Sequence, residues 1–258
     1  MRPIWKGSLG FGLVNIPVSM YAATEESKLS FVQLDKSNHA RIKYRKFNEN
    51  TGKEMKEGDI VKGYKWGSDY VVLDEEDFKK AAPEKQDHLE IVQAINEKEI
   101  DVLYFEKSYY LQPEKYGVKA YCLLRDVLKK DGKAVLGPLV YHKREWICCI
   151  KPLGDLLVLH KIRFAEEIRN SSEITIPKEQ IKPDEMKFAS MLIGQLTKPF
   201  KPEEFKDDYT DKLLKVIEAK AKGKGSKVKS MKVVHAATTE DLMQKLKASL
   251  GTAHKKAS

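Results

Sequence analysis

In the stretch ARIKYRKF at positions 40–47, Arg41, Lys43 and Arg45 alternate with Ile42 and Tyr44. Successive side chains of an extended strand point to opposite faces, so this spacing puts three cations on one side. Like charges set side by side repel, and a row of one sign calls for a partner of the other. Eight extended residues reach about 26 Å at roughly 3.3 Å each. That is comparable to one turn of duplex nucleic acid, about 34 Å. Cations at every second residue can therefore track phosphates, a contact that positions a duplex without reading its bases. Lys46, Lys62 and Lys65 extend the set, and Lys6 beside Trp5 adds a further candidate. Ile42 and Tyr44 then fall to the packing side of a hairpin.

Signals for catalysis are few. Gly10-Phe11-Gly12 opens like a dinucleotide fingerprint, but Asn15 stands where the third glycine belongs. Gly7 to Gly12 has the spacing of a phosphate-cradling loop, yet Leu13 replaces its lysine. Gly223-Lys224-Gly225-Ser226-Lys227 lacks a preceding strand. The six histidines are scattered, and no pair has the spacing of a zinc site on one helix. Cys148 and Cys149 are neighbours in an apolar strand, so they point to opposite faces as core atoms. The carboxylate pairs Glu166-Glu167 and Asp207-Asp208 read as solvated faces or helix starts. No enzyme, metal or cofactor is expected.

Composition agrees with a polyanionic partner. The 258 residues carry 47 Lys plus Arg against 38 Asp plus Glu, a formal net charge of +9. Such an excess favours nucleic acid or an anionic surface. Three cysteines without a CxxC motif fit reduced thiols, and no apolar run is long enough to span a membrane. The expected location is cytoplasmic, with the nucleoid.

The elements that must position these cations are mostly strands. Ile4–Tyr21 reads as strand broken by glycines. Strands are predicted at 30–34, 41–47, 60–66 and 69–73, with turns at 35–38 and 50–52. Asp74 caps a short helix that ends at Pro83. Strands follow at 89–95 and 102–111, then a helix over 118–130 with Ala120, Leu124, Val127 and Leu128 on one face and Gly132 as its stop. A meander over 134–141, 146–151 and 156–164 places WICCI centrally, because it is apolar on both faces. Many short-turned strands around one helix predict a β-barrel. Beyond 170 the pattern turns helical. Phe188, Ala189, Leu192, Ile193 and Leu196 share one face, and Phe205, Tyr209, Leu213, Val216 and Ile217 another. Lys220–Lys232 holds six lysines, two glycines and no acid, the composition of a flexible cationic linker. It adds Lys222, Lys224, Lys227 and Lys229 to the candidate phosphate contacts. Leu242, Leu246 and Leu250 then line one side of a short last helix suited to docking in a groove.

Several long stretches resemble one family. MRPIWKGSLGFGLVNIPVSMYAATE, IVKGY at 60–64, YVVLDEEDF at 70–78, EIDVLYFEKSYYLQPEK at 99–115 and KAYCLLRDVL at 119–128 are similar to bacterial Ku, the DNA-end-binding protein of non-homologous end joining. The likeness continues through 191–220 into DLMQKLKASL at 241–250. It implies a mainly β fold with α: a Ku-type barrel over 1–170, an inserted strand-built bridge at about 38–70, and a C-terminal helical arm over 171–219. The linker spans 220–237 and the last helix and basic tail 238–258. It also implies a homodimeric ring around linear double-stranded DNA ends, and recruitment of the multifunctional ATP-dependent DNA ligase of that pathway. Some members carry a CxxC in the bridge loop; Phe47 and Asn50 stand there in this chain, so no zinc is expected. The alternative is a non-specific architectural nucleic-acid-binding barrel, which would also bind closed circles.

Overall fold

The computed structural model describes residues 1–26, 29–84 and 87–223. The chain divides into two compact units at Ser171/Ser172.

In the first unit β1 (Trp5–Phe11) and β2 (Val14–Ala22) form an antiparallel hairpin. A long excursion follows, holding β3 (Lys46–Phe47) paired with β4 (Glu54–Met55), then β5 (Lys62–Trp66) paired with β6 (Asp69–Leu73), and α1 (Glu75–Ala81). The chain returns through β7 (His88–Glu90) and β8 (Gln93–Asn96) to β9 (Phe105–Pro113) and α2 (Val118–Asp131). The meander β10 (Lys133–Tyr141), β11 (Arg144–Leu153) and β12 (Leu156–Ile162) completes a mixed eight-stranded sheet in the order β7-β1-β2-β9-β12-β11-β10-β8. WICCI lies within β11, between β12 and β10, as its two apolar faces require.

Both edges of this sheet belong to one short piece of chain. β7 runs parallel to β1, β8 runs antiparallel to β10, and only Ile91 and Val92 separate them. Ile91 N donates to Gly10 O and Val92 N to Leu136 O, both at 2.9 Å, so the ladder is handed from one edge to the other and the barrel closes. Sequence alternation reads 89–95 as a single strand, but its backbone serves two neighbours in turn. The glycines are where the seam is tightest. A Cβ on Gly137 would sit 2.2 Å from Glu90 O, and one on Gly10 2.0 Å from Glu90 Oε2.

The main core is the barrel interior, where Leu9, Ile16, Val18, Met20, Leu111, Ile150, Leu157 and Leu159 are buried together with the face of α2. That face is Tyr121, Leu124 and Leu128; Val127 is exposed, contrary to the expected stripe. Tyr121 displaces it because its hydroxyl has work between the strands: it donates to Leu111 O and accepts from Leu157 N, both at 2.6 Å. Cys148 joins this interior while Cys149 faces a second, smaller cluster with Ala134 and Ile162. Burial pushes the Cys148 thiol up to about 12 and Cys149 to about 11, so both stay protonated.

The excursion has no core of its own: no described residue between Ala22 and Leu89 is buried. Its turns are held locally. Asp35 Oδ1 accepts from Ser37 N at 2.7 Å, and Asn48 Oδ1 accepts from Asn50 N and Thr51 N at 3.0 Å. Asp74 and Asp77 form a reciprocal capping box at the start of α1.

The second unit contains α3 (Pro183–Leu196) and α4 (Asp208–Ala221). Phe188, Ala189, Leu192, Leu213, Val216 and Ala219 are half-buried, and no described residue in this unit is buried. Ile193, Leu196, Phe205 and Ile217, expected on the covered stripes, remain exposed.

Two outcomes follow from the barrel. Gly137→Ala forces a Cβ against a backbone carbonyl that cannot give way, an overpacking cost of about 1–3 kcal/mol. Thermal unfolding should shift down by roughly 3–10 °C. Gly194→Ala, in an α3 position with open space around it, should be neutral or slightly stabilising; equal effects of the two would remove the seam argument. Second, burial and the nearby Lys151 ammonium hold His160 below its ordinary value of about 6.5. The unfolded chain therefore takes up this proton first, and stability present above pH 6.5 declines as pH falls below it. Comparing thermal midpoints of wild type and His160→Asn from pH 7.5 to 5 should show the smaller acid loss in the variant.

Candidate nucleic-acid interface

The excursion between β2 and β7 carries most of the cations expected to meet phosphates. Both its roots flank β1, since β2 and β7 are the two neighbours of that strand. Trp5 is opposite Met20 near the end of β2, and Ser8 is opposite His88 at the start of β7, so both roots are fixed beside β1 on a closed sheet.

The segment 41–47 is not one regular strand. Arg41 bridges Leu34, Ile42 N donates to Gln33 O at 3.1 Å, and pairing resumes only at Lys46–Phe47. The predicted strand 30–34 is likewise reduced to that bridge. Backbone on both sides finds few partners here, because neither strand has a sheet or core behind it. Tyr44 is not a packing residue: it is 78% exposed, and its hydroxyl donates to Gln33 Oε1. Ile42 is also exposed.

The cations divide into two groups. Arg41, Lys43 and Lys65 are exposed and make no hydrogen bond or ion pair with a described residue. Arg45 Nη1 instead lies 2.8 Å from Glu54 Oε2, and Lys46 Nζ lies 2.8 Å from Glu57 Oε2. The hydrogen bond from Lys46, then its charge, holds the Glu57 carboxyl below the usual range. Lys62 Nζ sits 4.8 Å from the ring centroid of Phe78 on α1. Lys62 and Lys65 are three residues apart on β5, so they leave opposite faces of that strand rather than sharing one. Lys62 shares its face with Tyr64 and Trp66; Lys65 shares its face with Tyr70, its cross-strand partner.

Lys6 is exposed on β1, opposite Ser19, and stands apart from the excursion on the barrel itself. Lys222 caps the end of α4, 3.8 Å from Glu218. Lys224, Lys227, Lys229, Leu242, Leu246 and Leu250 lie outside the described residues.

The pairing of cations with Glu54 and Glu57 is absent from a reading of strand alternation. Only the turn at Asn48–Gly52 decides which acid faces which base across the ladder. A charge-pairing search across that turn would have found them.

One histidine does find catalytic-looking neighbours. Ser8 Oγ lies 3.1 Å from His88 Nδ1, and His88 Nε2 2.8 Å from Glu90 Oε2. Ser8 and His88 meet across the parallel pair, while Glu90 stands two residues along β7 on the same face as His88. This chain of hydrogen bonds ties β7 to β1 at the seam. Among the described residues no three His, Cys, Asp or Glu side chains are placed to hold a metal ion. No described helix is long and apolar enough to cross a membrane.

Comparison with known proteins gives the same architecture a lineage. The family model for the Ku70/Ku80 beta-barrel domain matches residues 10–188. The chain is 38% identical over 257 residues to the non-homologous end joining protein Ku of Coxiella burnetii, covering 96% of this chain and 94% of that protein. It is 37% identical over 227 residues to the Archaeoglobus fulgidus protein of that name, covering 87% and 90%. The Bacillus subtilis protein of that name is 35% identical over 254 residues, covering 97% and 82%. With a closed eight-stranded barrel, a cation-bearing excursion and a family match over most of its length, this chain belongs to the Ku family.

Proposed function

We propose that the chain binds ends of double-stranded DNA, without sequence preference, as a homodimer closed around the duplex. Its role is then in non-homologous end joining, where it recruits the multifunctional ATP-dependent ligase. The observation that carries the reading is the excursion 29–84: exposed cations on a segment with no core, anchored at both roots to a closed barrel. Arg41, Lys43 and Lys65 are the free phosphate contacts, with Arg45, Lys46 and Lys62 recruited from their internal partners. Lys6 and the lysines of 222–229 add charge elsewhere. Contacts of this kind are sequence-independent and salt-sensitive, as a protein that accepts any broken end requires.

A second copy accounts for what one chain leaves open. Two-stranded hairpins with no covered face are marginal in water. The β5–β6 hairpin exposes Tyr64, Trp66, Tyr70, Val71 and Val72, and α3 and α4 expose Ile193, Leu196 and Ile217. In the dimer these surfaces are covered, and two excursions enclose the DNA. The segment with Leu242, Leu246 and Leu250 is the proposed docking face for the ligase.

Light scattering should give about 59 kDa, twice 29.5 kDa, without DNA. Gel shifts should favour a linear duplex over the same DNA as a closed circle; equal binding to both would leave only an architectural binder. Replacing Arg41, Lys43 and Arg45 with Glu should preserve the circular dichroism spectrum and strongly weaken binding to any linear duplex. If about three contacts are lost per chain, about six per dimer, the slope of log K against log salt should flatten by about five units. A folded triple variant with the wild-type slope would show that this segment does not hold DNA.

A further inference from the structure

We infer that Glu54 and Glu57 set how tightly this surface grips a duplex, by occupying Arg45 and Lys46 until phosphates displace them. The inference rests on the DNA-binding reading above and adds to it a pair of internal competitors.

The geometry comes from the β3–β4 ladder. Lys46 is opposite Met55 and Phe47 opposite Glu54, a register closed by the Asn48 turn. That register brings Glu54 within 2.8 Å of Arg45, and Glu57 just beyond β4 within 2.8 Å of Lys46. The Lys46 ammonium reaches both Glu57 oxygens, the second at 3.1 Å. A carboxylate held this way uses the same N–H donors that a phosphate oxygen would use. Each acid therefore stands in for a phosphate in the DNA-free protein.

The pairs are built to be given up. Their side chains are 68% and 47% exposed for Arg45 and Glu54, and 60% and 86% for Lys46 and Glu57. Water-exposed pairs of this type are held by a factor of roughly 1.5 to 5 each. A duplex presenting many phosphates can outcompete them, but its net affinity is lowered by the exchange. Two other acids on the excursion, Glu49 and Asp59, make no ion pair with a described residue. They supply a control of equal charge.

The test uses the full chain and a short blunt duplex, with binding followed by fluorescence anisotropy at several salt concentrations. Glu54→Gln with Glu57→Gln should bind about tenfold more tightly, since four cations per dimer are released. Its salt slope should stay within about one unit of the wild type's, because both proteins make the same phosphate contacts and only the competing carboxylates are removed. Glu49→Gln with Asp59→Asn removes the same charge without freeing a cation and should change affinity less than about threefold. Circular dichroism checks folding, and the single variants Glu54→Gln and Glu57→Gln should each give part of the gain. Unchanged or weaker binding by the first pair overturns the inference, and so does a gain no larger than the control's. Arg45→Gln with Lys46→Gln separates the two levels. If it binds as wild type does, the DNA-contact reading itself falls; if it binds weakly while the Glu variants show no gain, only the competitor role is lost.

Discussion

Residues 88–96 hold both edges of the sheet, and everything else in the first unit hangs from that closure. A sheet with two open edges would present unpaired N–H and C=O groups to other chains. Here one strand segment pairs with β1 over Ser8–Gly10 and then with β10 over Lys133–Leu136, so a handover of two residues covers both edges along that stretch. The closure demands close backbone approach, which is why glycine occupies position 137, while Gly10 leaves room for the Glu90 and His88 side chains. It also brings His88 to Ser8 and Glu90, so that the one hydroxyl–imidazole–carboxylate alignment described here belongs to the seam.

The same closure carries the excursion. A segment without buried residues cannot fix its own position, because burial is the main favourable term in folding and it has none. What it has is two roots beside β1 and a set of local turns and caps. Asp35, Asn48 and Asp74 each satisfy backbone N–H groups within a few residues. Local bonds shape the tips, while the barrel places the whole. This division suits a surface that must present charge outward, since a row of cations facing solvent needs no core beneath it.

Electrostatics on this surface is a balance rather than a simple excess. Among the described residues Arg41, Lys43 and Lys65 have no partner, whereas Arg45 and Lys46 are engaged by carboxylates and Lys62 by an aromatic ring. The interior, by contrast, carries no charge to spare. Its two adjacent thiols are held protonated by burial, and His160 is held below its usual value by the same cause.

Much of this was legible in the amino-acid order by itself. The Asp74 cap, the helix stopping at Gly132, the central position of WICCI and the opposed Cys148 and Cys149 all follow from local spacing, because caps, turns and strand alternation depend on near neighbours. Long similar stretches in one order identified the family before any coordinate. Three things required the tertiary structure. The split of 89–95 between two strands depends on what lies on either side of it, which alternation does not record. The choice of Tyr121 over Val127 on α2 depends on two backbone groups that part at Leu111 and Leu157. The capture of Arg45 by Glu54 and of Lys46 by Glu57 depends on the register of a hairpin, and a shift by one residue would set different side chains opposite each cation. Spacing along the chain determines which face a side chain takes; what stands opposite that face is settled only when distant segments meet.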